Sequence, residues 1–245
     1  MWQWVERIKQ FISSKLGRLS KPAQERLSRA VVQDHALSIK EVTSRWADGR
    51  LGIPAWHKAM RADLKNLYIQ NYLLGRGGKA QLTPADYGSI GGMLKEQYRY
   101  LDNFAKELVA GTVTPAQAAM RAEMYARSAK EAHERGKARA WGEAADIERW
   151  IVAPMLEHCE DCLAFEAQGW QPRGNFPFPG AGETRCLTNC GCHKEYGAAR
   201  PGKSLDIGAS TENGNETGSK QRPSLMSPKH SASTGRSGPP AACRR

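Results

Sequence analysis

The 245-residue sequence has no apolar run of membrane length. Its longest, Trp150-Ile151-Val152-Ala153-Pro154-Met155-Leu156, falls far short of the roughly 20 residues a spanning helix needs. It also has no apolar signal core near its start, where Glu6, Arg7, Lys9 and Gln10 break the pattern, so secretion is not expected. Catalytic signatures are missing as well. There is no H-E-x-x-H, Walker A, G-x-S-x-G or G-x-G-x-x-G, which removes the simplest sequence grounds for a zinc protease, a P-loop enzyme, a serine hydrolase or a dinucleotide-binding enzyme. Aromatics are 8% of the chain, and cysteine is almost confined to one stretch, with five of six between Cys159 and Cys192.

Positive charge is plentiful. The chain carries 36 Lys+Arg against 25 Asp+Glu, for a net charge of +11, which points to a polyanionic partner, most simply nucleic acid. The excess is uneven: residues 1–50 carry +5, 51–140 carry +6, 141–200 carry −4 and 201–245 carry +4. The one acidic block is therefore the block that holds the cysteines.

Periodicity divides the chain into four parts. In 1–50, Trp2, Val5, Ile8, Phe11, Ile12 and Leu16 form one apolar face, which predicts an N-terminal amphipathic helix that docks on the protein or a partner, followed by a connecting helical segment. A membrane-surface helix is the sharper alternative, and nothing else in the chain supports it. Residues 51–140 read as a domain of three helices. The first carries Trp56, Met60, Leu64, Leu67 and Tyr68 and closes at Gly75, Gly77 and Gly78; the second opens at Thr83-Pro84 and ends at Gly111. The third opens at Thr114-Pro115 and runs to about Arg139. Its large apolar side chains thin out after Tyr125, so its second half is expected on a surface. Residues 201–245 hold 8 Ser, 6 Gly and 5 Pro, the composition of a disordered basic tail in which Cys243 is an idle thiol.

The block 141–200 is too short and too rich in turns to bury much apolar area, so it needs a staple. That staple is C-x2-C, 23 residues, then C-x3-C-x-C-H, from Cys159 and Cys162 to Cys186, Cys190, Cys192 and His193. Paired thiols separated by about 15–25 residues have the spacing of a structural tetrahedral zinc site, because each short turn presents two sulfurs to one ion. Disulfides are the competing use of these cysteines, disfavoured where the compartment is reducing. Five cysteines and the flanking His158 and His193 exceed four ligands. Cys159, Cys162 and Cys186 with either Cys190 or Cys192 are favoured, for about one zinc per chain.

Two other uses of such a site compete. A zinc ribbon that binds nucleic acid presents basic residues, whereas this block is acidic before its thiolates are counted. A zinc deaminase would use His158, Cys186 and Cys190 as ligands and Glu160 as proton shuttle, after the pattern H-x-E then P-C-x-x-C. Here three residues separate those cysteines instead of two, Arg185 stands at the proline position, and Cys159 and Cys162 go unexplained. The remaining histidines, His35, His57, His133 and His230, are isolated and read as surface or core residues.

The order Arg121-Ala122-Glu123-Met124-Tyr125-Ala126, Gly136, Trp150-Ile151-Val152, Cys159-Glu160-Asp161-Cys162, Gly169-Trp170, Pro177-Phe178-Pro179-Gly180, Asn189-Cys190-Gly191-Cys192 resembles the phage head morphogenesis family, the Mu F-type minor head proteins. The resemblance covers residues 115–196, and the order of motifs is more specific than any one of them. Gly77-Gly78, Tyr87-Gly88 and Gln97-Tyr98-Arg99-Tyr100-Leu101 also look like segments of phage minor head proteins. Two positions depart from the family: Cys186 stands where a histidine is usual shortly before Asn-Cys-x-Cys, and Gly191 where a basic residue is usual. The first exchanges one zinc ligand type for another, and the second removes a contact. The resemblance implies a non-enzymatic virion component present in few copies. It would assemble with portal and capsid proteins in the host bacterial cytoplasm, aid DNA packaging or delivery, and touch packaged DNA through nonspecific basic contacts.

The expected fold is thus mainly α: a helical domain, then a small, irregular Cys-rich zinc-ribbon-like module with short strands, then a disordered C-terminal tail.

Overall fold

The computed structural model describes residues 20–78, 82–154 and 157–199. The N-terminal amphipathic stripe and the C-terminal tail with Cys243 lie outside the described residues. Among those described are five α-helices and a three-stranded sheet: α1 (Lys21–Ala47), α2 (Ile53–Gly75), α3 (Pro84–Val109), α4 (Pro115–Trp141), β1 (Ile147–Ile151), α5 (Glu160–Ala167), β2 (Gln171–Pro172) and β3 (His193–Gly197). The architecture is mainly helical, with the small sheet and the cysteines together at the C-terminal side, as expected.

The helices begin where the sequence places start signals. The first turns of α1, α2, α3 and α4 all carry a proline, whose fixed φ suits the helix and whose missing N–H would have had no partner there. Thr114 and Gln117 form a capping box: Gln117 N–H donates to Thr114 Oγ1 at 3.3 Å and Thr114 N–H to Gln117 Oε1 at 2.9 Å. Gly77 and Gly78, with φ of 84° and 132°, end the chain path of α2 in a conformation that side chains with a Cβ rarely adopt.

One core joins the four long helices. Trp56, Met60, Leu64, Leu67 and Tyr68 of α2 meet Val31 and Ile39 of α1, Ile90, Leu101 and Phe104 of α3, and the alanines of α4. The α1 stripe is partly polar and is satisfied inside the bundle. Ser28 Oγ donates to Asn71 Oδ1 at 2.6 Å, and Trp56 Nε1 donates to Thr43 Oγ1 at 3.3 Å. Asp86 is fully buried at the start of α3 and accepts from Tyr72 Oη at 2.8 Å and Thr83 N–H at 2.7 Å. Burial opposes its charge, but these bonds and Arg76 hold its carboxyl below the usual range.

The second half of α4 departs from expectation. It is buried, not superficial: Ser128, Ala129, Ala132, His133, Glu134, Gly136 and Ala138 are all inside. Small side chains do there what large ones do elsewhere. Gly75 of α2 and Gly136 of α4 face each other at a helix crossing, where a Cβ on Gly136 would strike Tyr72 O and one on Gly75 would strike His133 O. The other side of this half-helix is covered by the C-terminal module.

In that module β1 is the central strand, antiparallel to both neighbours in the order β2-β1-β3. Its alternation turns Glu148 and Trp150 inward, and β3 turns Lys194 and Tyr196 inward. Glu148 and Lys194 form a fully buried ion pair at 2.8 Å. Burial lowers the lysine pKa even though Glu148 raises it. Glu134 of α4 accepts the Lys194 backbone N–H at 3.1 Å, and Lys130 Nζ donates to Cys190 O at 2.8 Å. These bonds fix the module to α4, with Arg127 to Asn189 and Arg173 to Ala138 O adding to them.

Candidate metal centre

Two turns bring the cysteines together. In the first, Cys159 is the N-cap of α5 and Cys162 lies in its first turn, so the helix start itself sets their sulfurs 3.5 Å apart. In the second, Cys186 precedes the short 3-10 turn Leu187–Asn189, and Cys190 leaves it in extended conformation. Leu187 has a φ of 50°, a left-handed backbone that a leucine adopts only where the surrounding turn imposes it. Cys190 and Cys192 then point the same way, because an extended chain repeats its side-chain direction every second residue. Asp161 ties the two turns by accepting the Arg185 N–H at 2.7 Å.

The five cysteines among the described residues are free thiols; Cys162 and Cys192 are fully buried, Cys186 and Cys190 nearly so, and Cys159 is half-buried. Cys162 Sγ lies 3.7 Å from both Cys186 Sγ and Cys190 Sγ. A tetrahedral ion with metal–sulfur bonds near 2.3 Å sets its sulfurs about 3.8 Å apart, so these separations fit a shared ion. The thiols fall into two triads, Cys159/Cys162/Cys186 and Cys162/Cys190/Cys192. Within each, all sulfurs are within 4.8 Å of one another, a geometry compatible with metal binding. All five predicted ligands are thus gathered in one place.

His158 joins them. Its Nε2 is 2.7 Å from Ala153 O, and a carbonyl can only accept, so Nε2 carries the proton. Nδ1 is then bare in the neutral ring and faces Cys192 Sγ at 3.7 Å. A ring nitrogen oriented by a carbonyl on its far side is the arrangement that metal-bound histidines adopt. His193 goes elsewhere: it lines a cleft of about 230 Å³ with Lys21, His133 and Lys137, where burial and then Lys137 lower its pKa.

The surroundings favour a thiolate at Cys186 and Cys192 and oppose one at Cys162 and Cys190. Cys162 is pushed up by sharing hydrogen bonds with Cys186 and Cys190, while Cys186 is pushed down as the acceptor from Cys162. Thr184 Oγ1 lies 3.2 Å from Cys186 Sγ. The indole Nε1–H of Trp150 is buried with no regular hydrogen-bond partner, and it acts to lower the Cys192 pKa. Trp150 also packs edge-on against Phe165 and Phe176, with ring centroids 5.2 and 6.3 Å away, and closes the sulfur cluster from below. Neither Trp150 nor Lys130 stood out as part of the site in the sequence, since nothing local to either residue marks it as a neighbour of the cysteines.

No known protein family, curated protein or solved structure matches this chain. The site must be read from its own chemistry. Its donors are soft sulfur groups and an imidazole, and four of the five sulfurs are buried. Glu160, the residue a deaminase would need at the metal, has a side chain 79% exposed and is ion-paired with Arg185 on the surface. No helix among the described residues is long and apolar enough to cross a membrane.

Proposed function

We propose that this chain is a structural minor head protein of a phage, of the Mu F type, whose C-terminal module is stapled by zinc and presented on a rigid helical bundle. The observation that carries the reading is that the motifs of the resemblance meet in space. Gly180 of the Pro-Phe-Pro-Gly turn lies against Lys130 and Glu131 of α4, Trp150 floors the sulfur cluster, and Arg127, paired with Glu123, reaches Asn189 of the Asn-Cys-Gly-Cys ending. Motifs spread from residue 121 to 192 thereby become one docking body.

Zinc is the ion that suits the donors. Thiolates with imidazole in tetrahedral spacing select it over hard cations, and a site saturated by protein ligands serves structure, not catalysis. The bound ion supplies fixed cross-links between the two turns. The protein's own groups do the rest: α5 presents Cys159 and Cys162, the turn after Cys186 presents Cys190 and Cys192, and Lys130 and Glu134 fix the result to α4. The partners on this reading are portal and capsid proteins, with packaged DNA touched through basic residues of the bundle and the tail.

The test is co-expression with the product of the adjacent upstream gene, expected to be a portal, followed by gradient sedimentation. Co-migration with a ring-sized assembly is the expected result. A chain that remains at the top of the gradient beside an assembled portal ring overturns the reading.

A further inference from the structure

The sulfur cluster has six inward donors, two more than one tetrahedral ion can take. Cys159 and Cys186 lie on one side of it, Cys192 and the bare Nδ1 of His158 on the other. Cys162 belongs to both triads. Cys190, 3.7 Å from Cys162, shares the second triad with Cys192. Cys162 is therefore the sulfur common to both sides, Cys190 beside it is the donor left to complete the first, and the other four lie two on each side.

From this arrangement we propose that the centre holds two zinc ions bridged by the thiolates of Cys162 and Cys190. One ion is completed by Cys159 and Cys186, the other by Cys192 and His158. Each ion then has four ligands and no donor is left over. The inference rests on the zinc reading of the same site and changes its stoichiometry from one ion to two.

Charge and hydrogen bonding support the pair of ions. Four thiolates around one zinc leave about two negative charges in a nearly closed core, whereas five around two leave about one. A single ion on the first side would also leave Cys192 Sγ and His158 Nδ1, 3.7 Å apart, with no ion to share. With a second ion, Cys192 has a ligand role and His158 has the partner its orientation by Ala153 O prepares it for.

The full chain, purified with zinc under reducing conditions, tests this by native mass spectrometry. Two zinc ions per chain are expected. After exchange with cadmium-113, two cadmium resonances split by coupling through shared sulfur are expected. His158→Ala and Cys192→Ser should each lower the content from two ions to one while the bundle keeps its helicity. One ion in the unaltered chain, or two uncoupled cadmium signals, overturns the bridged pair and leaves a zinc staple standing. No zinc at all overturns both.

Discussion

Glu134 shows how much of this fold depends on single buried charges. Its side chain is 2% exposed, accepts from Lys137 Nζ at 2.9 Å, and takes the backbone N–H of Lys194. Burial opposes its charge, and Lys137, His133 and Lys130 overcome that and hold the carboxyl far below its usual value. A carboxylate depressed in the folded state stabilises it above the unfolded pKa, near 4.3, and that contribution is lost as pH falls below it. Acid unfolding should therefore be steeper in the native protein than in Glu134→Gln, as followed by circular dichroism. Glu134→Ala, which leaves the Lys194 N–H and Lys137 without their acceptor, should cost about 3–5 kcal/mol in denaturant unfolding. An unchanged midpoint contradicts the role assigned to it. None of this was legible in the sequence, where Glu134 is one acid in a charged helix. The cysteines were legible, because their spacing alone implies two turns sharing a centre. The inward face of His158 was not, since it depends on the loop that carries Ala153.

At the scale of elements, the long helices followed from local signals. Proline in the first turn, threonine caps and terminal glycines fix where helices start and stop, and these act within a few residues of the chain. Which face of α4 is buried did not follow. Hydrophobic periodicity weighs large side chains, and the second half of α4 is buried through alanine, glycine and satisfied polar groups. Helices approach closely where side chains are smallest, so Gly136 is a contact that periodicity cannot detect. Gly136→Ala forces its methyl against Tyr72 O and should destabilise the bundle by about 1–3 kcal/mol, the usual cost of overpacking. A thermal midpoint equal to that of the native chain would show that the crossing has slack.

For the molecule as a whole, the bundle and the module have different kinds of core. The bundle buries Trp56, Tyr68, Phe104 and a full set of leucines. The module's main cluster is Trp150, Phe176 and four cysteines, with Val152, Cys159 and Phe165 at its edge, which is too little apolar surface to hold a short, turn-rich segment by itself. On the proposed zinc reading, the bound metal supplies much of the module's folding energy, and metal binding is coupled to folding. The gathering of the cysteines was legible from their spacing; the module's attachment to α4 through Lys130 and Glu134 was not, because those contacts join residues 60 apart in the chain.

The most direct measurement is limited proteolysis of the full chain with and without a zinc chelator, under reducing conditions, with fragments identified by mass spectrometry. The account predicts that chelation opens cleavage sites within 145–199 while 21–141 stays protected and helical. A module that remains equally protected after its metal has been removed contradicts the metal staple at the centre of this account.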